Sequence, residues 1–293
     1  MTNQIQTLEL SDGRLLEFVT LGDPSGATVV YHHGTPGSVH LAQGFAQQLE
    51  KHKVFLIGMS RAGYGNSSRQ EGRQVADVVS DVRELLRYLG RGQYVAIGWS
   101  GGGPHALACA ALDPSCLHAI SLAGVAPVVD DFDWTEGMGP ENVEEYELAR
   151  QGGPAYEAAM AQAVEVFSTA SADNVIDLFG GLLSDVDKQS LASNETRELL
   201  ARGIAEGLKT NGGGFLDDNQ AFLTDWGFDV SDIATPVSLF FGDEDLMVPT
   251  RHGHYLASAL ANVTVHHLPS EGHVSLVLDH GDEIFGVVKS VFQ

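Results

Sequence analysis

A serine lies between glycines in the pattern G-x-S-x-G, which spans residues 98–102. A short apolar run of strand type precedes it, and the alanine-rich stretch 103–112 that follows favours a helix. A strand-to-helix turn of this kind brings backbone close to backbone, which only glycine tolerates. The turn can hold a serine in an exposed, strained position that suits a nucleophile. We therefore predict Ser100 as a nucleophile, with Gly98 and Gly102 as the small residues that permit the turn.

A serine hydroxyl needs a base to take its proton and an acid to orient that base. Three carboxylates, Asp243, Glu244 and Asp245, follow the strand-like run 236–241. A histidine, His273, follows the next strand-like run in a loop that enters a helix. An acid after one strand and a histidine after the next lie on the same rim as the turn at Ser100.

Other residues could supply the base or the acid. His266 and His267 lie within a predicted strand, too early in the chain, and His280 lies within the following helix. His105 is one turn along the helix after Ser100, so it would point into packing or the pocket wall. His273 is thus the predicted base. Among acids, a second place is Asp130 or Asp131, after the strand at 117–122.

Five motifs in order carry a family resemblance. They are His33-Gly34-Thr35-Pro36-Gly37, Ser60-Arg61-Ala62-Gly63-Tyr64-Gly65-Asn66-Ser67, the serine turn, Gly242-x-x-Asp245 with Val248-Pro249, and Gly272-His273. With these motifs the chain resembles α/β-hydrolase-fold serine hydrolases, and is similar to their esterase, lipase and iminopeptidase-like branch with a helical cap. The resemblance implies that Asp245, at Gly-x-x-Asp, is the acid, and that Asp130 or Asp131 fills this role in some relatives.

The resemblance also implies an oxyanion hole made of two backbone N–H groups. One belongs to Gly101, the residue after the nucleophile. By resemblance the other belongs to Thr35, since the next residue is a proline and has no N–H. His33 and Gly34 are expected to support this loop. The resemblance implies no metal and no organic cofactor.

Strands alternating with helices predict a mostly parallel sheet covered on both faces, the α/β class. Residues 1–126 and 226–293 are predicted to form this core. The strand signals stop in residues 127–225, which we call the insertion and which resembles the family's all-helical cap. Helices are expected at 141–151, 154–169, 172–184 and 195–209, then a flexible loop at Gly212-Gly213-Gly214. Apolar residues of the insertion could face a pocket, although their helical spacing is more typical of its own core: Met160, Phe167, Leu178, Phe179, Leu182 and Leu183.

The net charge of −23 argues against nucleic-acid partners and anionic membrane surfaces. No apolar run approaches the ~20 residues that a membrane helix needs. The first residues lack a basic and an apolar signal region, so we expect no signal peptide. Cys109 and Cys116 are too few for a disulfide framework and are expected to be reduced. A cytoplasmic protein is the resulting expectation.

The residues and the resemblance together predict a serine hydrolase that cleaves small to medium carboxylic esters in two steps through an acyl-enzyme. Activity should fall below roughly pH 6 as the histidine base protonates. One alternative is an aminopeptidase of the proline-iminopeptidase type, since an acidic cap could hold a substrate ammonium. A lactonase or a non-catalytic ligand receptor on the same scaffold are further alternatives. The sequence leaves the physiological substrate and the oligomeric state open.

Overall fold

The computed structural model describes residues 4–130, 132–210 and 212–293. Within these residues one sheet has the strand order β1-β2-β4-β3-β5-β6-β7-β8. β1 and β2 pair antiparallel, and β2 pairs antiparallel with β4; the other pairs are parallel. The strands are β1 (Gln6–Glu9), β2 (Leu15–Gly22), β3 (Ala27–His32), β4 (Val54–Met59), β5 (Tyr94–Trp99), β6 (Cys116–Leu122), β7 (Val237–Gly242) and β8 (Val263–Leu268).

Hydrophobic patterning explains these strands. β4, β5 and β7 are buried along their whole length, as expected of parallel strands that are covered on both faces. A hairpin turn at 11–13 joins β1 to β2, with Gly13 at a positive φ of 85°. The predicted α/β class is confirmed.

Helices flank this sheet in the predicted core. The face of α2 that carries Val78, Val82 and Leu85 is buried, in agreement with the helical spacing of its apolar residues. These helices are α1 (Ala46–His52), α2 (Val78–Tyr88), α3 (Gly103–Leu112), α10 (Thr250–Ala259), α11 (Ser275–Asp279) and α12 (Gly281–Val291).

The described residues between β6 and β7 form helices and loops. Two expectations for the insertion are wrong. The helix expected at 172–184 is interrupted at Gly180, whose φ is 53°, and the glycines at 212–214 open a helix instead of forming a flexible loop. The helices are α4 (Pro140–Gln151), α5 (Gly153–Phe167), α6 (Val175–Leu178), α7 (Asp185–Ser190), α8 (Asn194–Leu208) and α9 (Gly213–Leu223).

Backbone hydrogen bonds join the insertion to the loop after β4. The N–H of Gly65 donates to the carbonyl of Gly207 at 3.0 Å, and the N–H of Gly214 donates to the carbonyl of Gly63 at 3.0 Å. A Cβ at Gly207 would lie 2.2 Å from the carbonyl oxygen of Gly37, so glycine permits close approach here. That the insertion is a separate lid stays a prediction.

Two further observations concern the length of the helices and the cysteines. Within the described ranges, none of the helices is long and apolar enough to cross a membrane. Cys109 and Cys116 are free thiols and buried. The helix α3 ends before Cys116, which is the first residue of β6, so the two cysteines do not share a helix.

Candidate active site

Ser100 occupies a strained turn between β5 and α3. Its φ is 56°, a left-handed value that is uncommon for a residue other than glycine. A Cβ at Gly98 would lie 2.0 Å from the carbonyl oxygen of Gly102, and a Cβ at Gly102 would lie 2.1 Å from that of His32. Both glycines are therefore required by backbone contacts, for the reason that the sequence pattern suggested.

Asp245 and His273 form a buried pair at the carboxyl ends of neighbouring strands. Oδ2 of Asp245 lies 2.7 Å from Nδ1 of His273, and both side chains are almost fully buried. Oδ1 of Asp245 accepts the backbone N–H groups of Met247 at 2.8 Å and Val248 at 2.7 Å, which fixes the carboxylate. A carboxylate only accepts, so Nδ1 carries a proton and Nε2 is the nitrogen left to take one.

His273 also contacts the residue that precedes Ser100. The indole N–H of Trp99 donates to the carbonyl oxygen of His273 at 3.1 Å, and the two rings are 5.6 Å apart. Burial alone would lower the pKa of His273. The charge and hydrogen bond of Asp245, with a contribution from the charge of Asp187, outweigh burial and raise this pKa above 6.5.

The alternative acids occupy different surroundings. Asp243 and Glu244 are exposed, and Asp243 pairs with His267 at 2.8 Å. Asp130 is exposed, and Asp131 lies outside the described residues. The structure thus brings Asp245, and neither Asp243 nor Glu244, to His273.

The alternative histidines have partners of their own. Nδ1 of His266 lies 2.8 Å from a carboxylate oxygen of Glu283, and Nε2 of His280 lies 3.1 Å from one of Glu271. Neither partner is a residue of the serine turn. These hydrogen bonds occupy both histidines away from Ser100.

The two candidate oxyanion donors are adjacent. A Cβ at Gly101 would lie 2.3 Å from Oγ1 of Thr35, so these two segments of the chain are in close contact. His33 is fully buried, and its Nε2 accepts the backbone N–H of Arg61 at 3.2 Å, which leaves Nδ1 to donate to the carbonyl of Gly34 at 2.6 Å. Burial, then the charge of Arg61, hold the pKa of His33 well below 6.5. A neutral His33 therefore supports the loop.

A cavity of about 230 Å³ lies over these residues. Core and insertion both contribute to its wall, and four of the apolar insertion residues singled out in the sequence line it, whereas Met160 and Leu183 do not. The lining is Thr35, Pro36, Ser100, Gly101, Val125, Glu141, Asn142, Glu145, Tyr146, Ala163, Phe167, Leu178, Phe179, Leu182, Phe215, Phe222, Met247 and Val248.

Glu145 is the unusual member of this lining. Burial raises the pKa of its carboxyl to about 7, although Asn219 donates to Oε1 at 2.8 Å and opposes that shift. The carboxyl therefore titrates close to neutral pH. Groups with such a pKa in a cavity are candidates for substrate contact.

Sequence reasoning missed two buried carboxylates of the insertion. Asp187 accepts three backbone N–H groups in the loop of His273, and Asp218 contacts Thr35. Asp187 carried a visible signal, because Ser184-x-x-Asp187 is a helix-capping pattern, but that pattern does not reveal a distant partner. Asp218 shares a helical face with Phe215 and Phe222, a signal hidden by the expected loop at 212–214.

Comparisons with known proteins identify the fold family of the chain. The model of the family described as "alpha/beta hydrolase fold" matches residues 27–279. The "Uncharacterized hydrolase YcgS" of Bacillus subtilis is 22% identical over 283 residues, which cover 94% of this chain and 93% of that protein. The "Putative proline iminopeptidase" of Mycoplasma genitalium is 27% identical over 134 residues, which cover 45% of this chain. The chain matches only 43% of the length of that relative.

Solved structures share the fold at low identity. A hydrolase from Pseudomonas aeruginosa has a TM-score of 0.72 at 19% identity, and covers 100% of this chain and 99% of its own. An esterase from Exiguobacterium antarcticum has a TM-score of 0.68 at 18% identity, with coverage of 99% and 100%. An enol-lactonase from Burkholderia xenovorans has a TM-score of 0.67 at 19% identity, and the match covers 98% of this chain and 99% of that one. At these identities the likeness concerns the fold alone.

Proposed function

Since the chain belongs to the α/β-hydrolase fold family, whose model matches residues 27–279, we propose that it is a serine hydrolase that cleaves small to medium carboxylic esters through an acyl-enzyme. One observation carries the proposal. The buried Asp245–His273 pair contacts the strand end that presents Ser100, and Ser100 lines a cavity with apolar walls. A strained serine, an oriented imidazole and a cavity are the parts that acyl transfer requires.

The reaction begins when Oγ of Ser100 attacks the ester carbonyl carbon and its proton passes to Nε2 of His273. Asp245 holds the imidazole tautomer and stabilises the imidazolium. The N–H groups of Thr35 and Gly101 donate to the oxyanion of the tetrahedral intermediate. His273 then gives its proton to the leaving alkoxide, which departs as an alcohol. Water repeats the two steps on the acyl-enzyme and releases the acid.

The insertion is proposed to act as a lid over this chemistry. Its residues Phe167, Phe179 and Leu182 supply apolar wall to the cavity. A cavity of about 230 Å³ suits a small to medium acyl or alcohol group. The proposed partner is thus a small-molecule ester, and the two buried, free cysteines are consistent with a reducing, cytoplasmic location.

The test compares Ser100→Ala with Ser258→Ala, a substitution at an exposed serine of α10. Each protein is treated with a fluorophosphonate probe and assayed with p-nitrophenyl esters. Ser100→Ala should lose labelling and at least about 10⁴-fold in kcat/KM, with little change in stability. Ser258→Ala should match the wild type. Hydrolysis by Ser100→Ala above ~1% of the wild-type rate would contradict the assignment.

Glu145 favours a second candidate, hydrolysis of aminoacyl substrates. Above about pH 7 its carboxylate is largely ionised in the cavity that Ser100 lines. A carboxylate there could pair with the ammonium group of an aminoacyl amide or ester. The partial similarity to the Mycoplasma relative points in the same direction.

The two candidates separate in one assay. The kcat/KM for a short p-nitrophenyl ester is compared with that for a prolyl anilide, in the wild type, in Glu145→Gln and in Glu144→Gln, a change at an exposed neighbour. Ester hydrolysis should dominate and change little in either variant. Preference for the anilide, lost in Glu145→Gln and kept in Glu144→Gln, would reverse the ranking.

A further inference from the structure

Three charged side chains meet in a buried cluster where the insertion contacts the core. Asp218 is 0% exposed, Arg61 is 1% exposed, and Arg73 is also buried. Nη2 of Arg61 lies 2.6 Å from Oδ2 of Asp218, and Nη2 of Arg73 lies 2.6 Å from Oδ1. The two guanidinium charges hold the pKa of Asp218 well below 3.8 against the effect of burial. Charges are expensive to bury, so such a cluster persists only when its members compensate each other.

The cluster is bonded directly to the loop of the proposed oxyanion hole. Oγ1 of Thr35 donates to Oδ2 of Asp218 at 2.7 Å and accepts from Nη2 of Arg61 at 2.9 Å. The same guanidinium donates to the carbonyl oxygen of His33. Since the hydroxyl of Thr35 is held both as donor and as acceptor, the peptide that carries the Thr35 N–H is held in one orientation.

His105 extends the contact to the second proposed donor. Its Nδ1 lies 2.8 Å from the carbonyl oxygen of Gly101, while its Nε2 lies 3.7 Å from Oδ1 of Asp218, a contact longer than a hydrogen bond. The ring also packs edge-on against Phe222 of α9. Burial, then the charge of Arg61, hold the pKa of His105 well below 6.5, so the ring is neutral and donates from Nδ1.

The helix that carries Asp218 is fixed to the core by contacts outside the cluster. Besides the hydrogen bond from Gly214 to Gly63, a Cβ at Gly214 would lie 2.5 Å from the ring of Tyr64. Arg69 binds Asp217 through two hydrogen bonds, at 2.9 and 2.8 Å. The helix α9 therefore holds Asp218 in a defined place relative to the core loop.

We propose that Asp218 of the insertion is a positioning residue for the oxyanion hole, acting through Arg61 and the side chain of Thr35. The inference rests on the proposed serine-hydrolase function. It makes α9 a part of the catalytic framework in addition to any role in covering the cavity. A merely structural Asp218 would contribute to stability and leave each correctly folded active site at full activity.

The test uses Thr35→Val, Asp218→Asn and the double variant. Thr35→Val removes only the hydroxyl and keeps the charged cluster. It therefore tests the positioning role even if Asp218→Asn folds poorly. Thr35→Ser keeps the hydroxyl and is the rescue variant, whereas Glu195→Gln, which changes an exposed carboxylate of the insertion on α8, is the matched control. Active sites are counted by fluorophosphonate labelling carried to completion, so that unfolded protein does not enter kcat.

We expect Thr35→Val and Asp218→Asn each to lower kcat by about 10- to 100-fold, with KM nearly unchanged, because the developing oxyanion is bound in the wrong geometry. Affinity for an alkyl boronic acid, which forms a tetrahedral adduct with the serine, should fall in parallel. The loss of kcat in the double variant should be no larger than in the worse single variant, since both substitutions act on the same contact between Thr35 and Asp218. Thr35→Ser should recover most of the activity that Thr35→Val loses, and Glu195→Gln should stay within about twofold of wild type.

An unchanged kcat and boronate affinity in Thr35→Val would overturn the inference, as would losses that multiply in the double variant. These outcomes differ from failure of the proposed function. In that case the wild type itself shows no hydrolysis that depends on Ser100 and no fluorophosphonate labelling.

Discussion

The backbone N–H of His273 donates to Oδ2 of Asp187 at 3.2 Å. Oδ1 of the same carboxylate accepts the N–H groups of Val274 at 2.7 Å and Ser275 at 2.9 Å. Asp187 belongs to α7 of the insertion and is fully buried. The core therefore orients the imidazole ring of His273 through Asp245, whereas the insertion fixes the backbone that carries it.

Replacement of Asp187 by asparagine should affect both stability and the pH profile. The amide of asparagine offers one acceptor oxygen where the carboxylate offers two, so at least one of the three N–H donors loses its partner. We expect a loss of about 1–3 kcal/mol in the free energy of unfolding. The charge of Asp187 raises the pKa of His273, so its removal should move the acid limb of kcat/KM to lower pH. Urea unfolding and a pH–rate profile measure the two effects.

The control for this prediction is Asp185→Asn, at an exposed position of the same helix. It should leave both measurements within error of the wild type. An acid limb that stays in place in Asp187→Asn, together with unchanged stability, would show that the three hydrogen bonds do not matter.

The wild-type pH profile should reflect the raised pKa of His273. The base must be neutral to accept a proton, so kcat/KM on a neutral ester should fall with an apparent pKa above 6.5. The sequence alone placed this loss below roughly pH 6, because it revealed neither how deeply Asp245 and His273 are buried together nor the second carboxylate, Asp187. An acid limb below pH 6 would contradict the structural expectation.

The same raised pKa of His273 makes stability change with pH in the direction opposite to activity. A histidine whose pKa is raised by folding stabilises the protein most below its unfolded pKa of about 6.5. This contribution is lost as the pH rises through the folded pKa. Activity should therefore increase over a pH range in which this contribution to the free energy of unfolding decreases, which urea unfolding across that range can measure.

Local sequence patterns predicted much of the candidate active site. The turn at Ser100, the acid after β7 and the histidine after β8 each follow a strand end, and parallel strands bring their carboxyl ends to one rim. The choice of Asp245 over Asp243 came from the family resemblance; in the structure Asp245 is buried against His273, whereas Asp243 is exposed. Their catalytic roles stay predictions.

The contributions of the insertion could not be read from the sequence. Asp218 meets Arg61 across 157 residues, and Asp187 meets His273 across 86, so no local pattern contains either pair. The glycines at 212–214 suggested flexibility. At Gly214, however, a side chain would collide with Tyr64 and Gly63, against which α9 begins. A glycine that permits a close contact and a glycine that permits motion are identical in one sequence.

The glycines of the serine turn should not tolerate a side chain. Gly98→Ala and Gly102→Ala each place a Cβ about 2 Å from a backbone oxygen that cannot move independently. We expect each to reduce the free energy of unfolding by about 3 kcal/mol or more. Gly92→Ala is the matched control, since a Cβ there would meet no atom within 4 Å, and should change stability by less than about 1 kcal/mol. Equal stability of all three variants would refute the argument from backbone contact.

Phe167 should limit the size of the substrate. Its ring lines the cavity and packs at 5.7 Å from the ring of Phe179. Each methylene of an acyl chain that leaves water contributes about 0.8 kcal/mol, nearly fourfold in kcat/KM, until the cavity is full. Phe167→Ala should therefore shift the optimum in a series of p-nitrophenyl esters towards longer chains. Val166→Ala, at an exposed neighbour on α5, should not. An identical chain-length optimum in Phe167→Ala and the wild type would mean that the acyl group binds elsewhere.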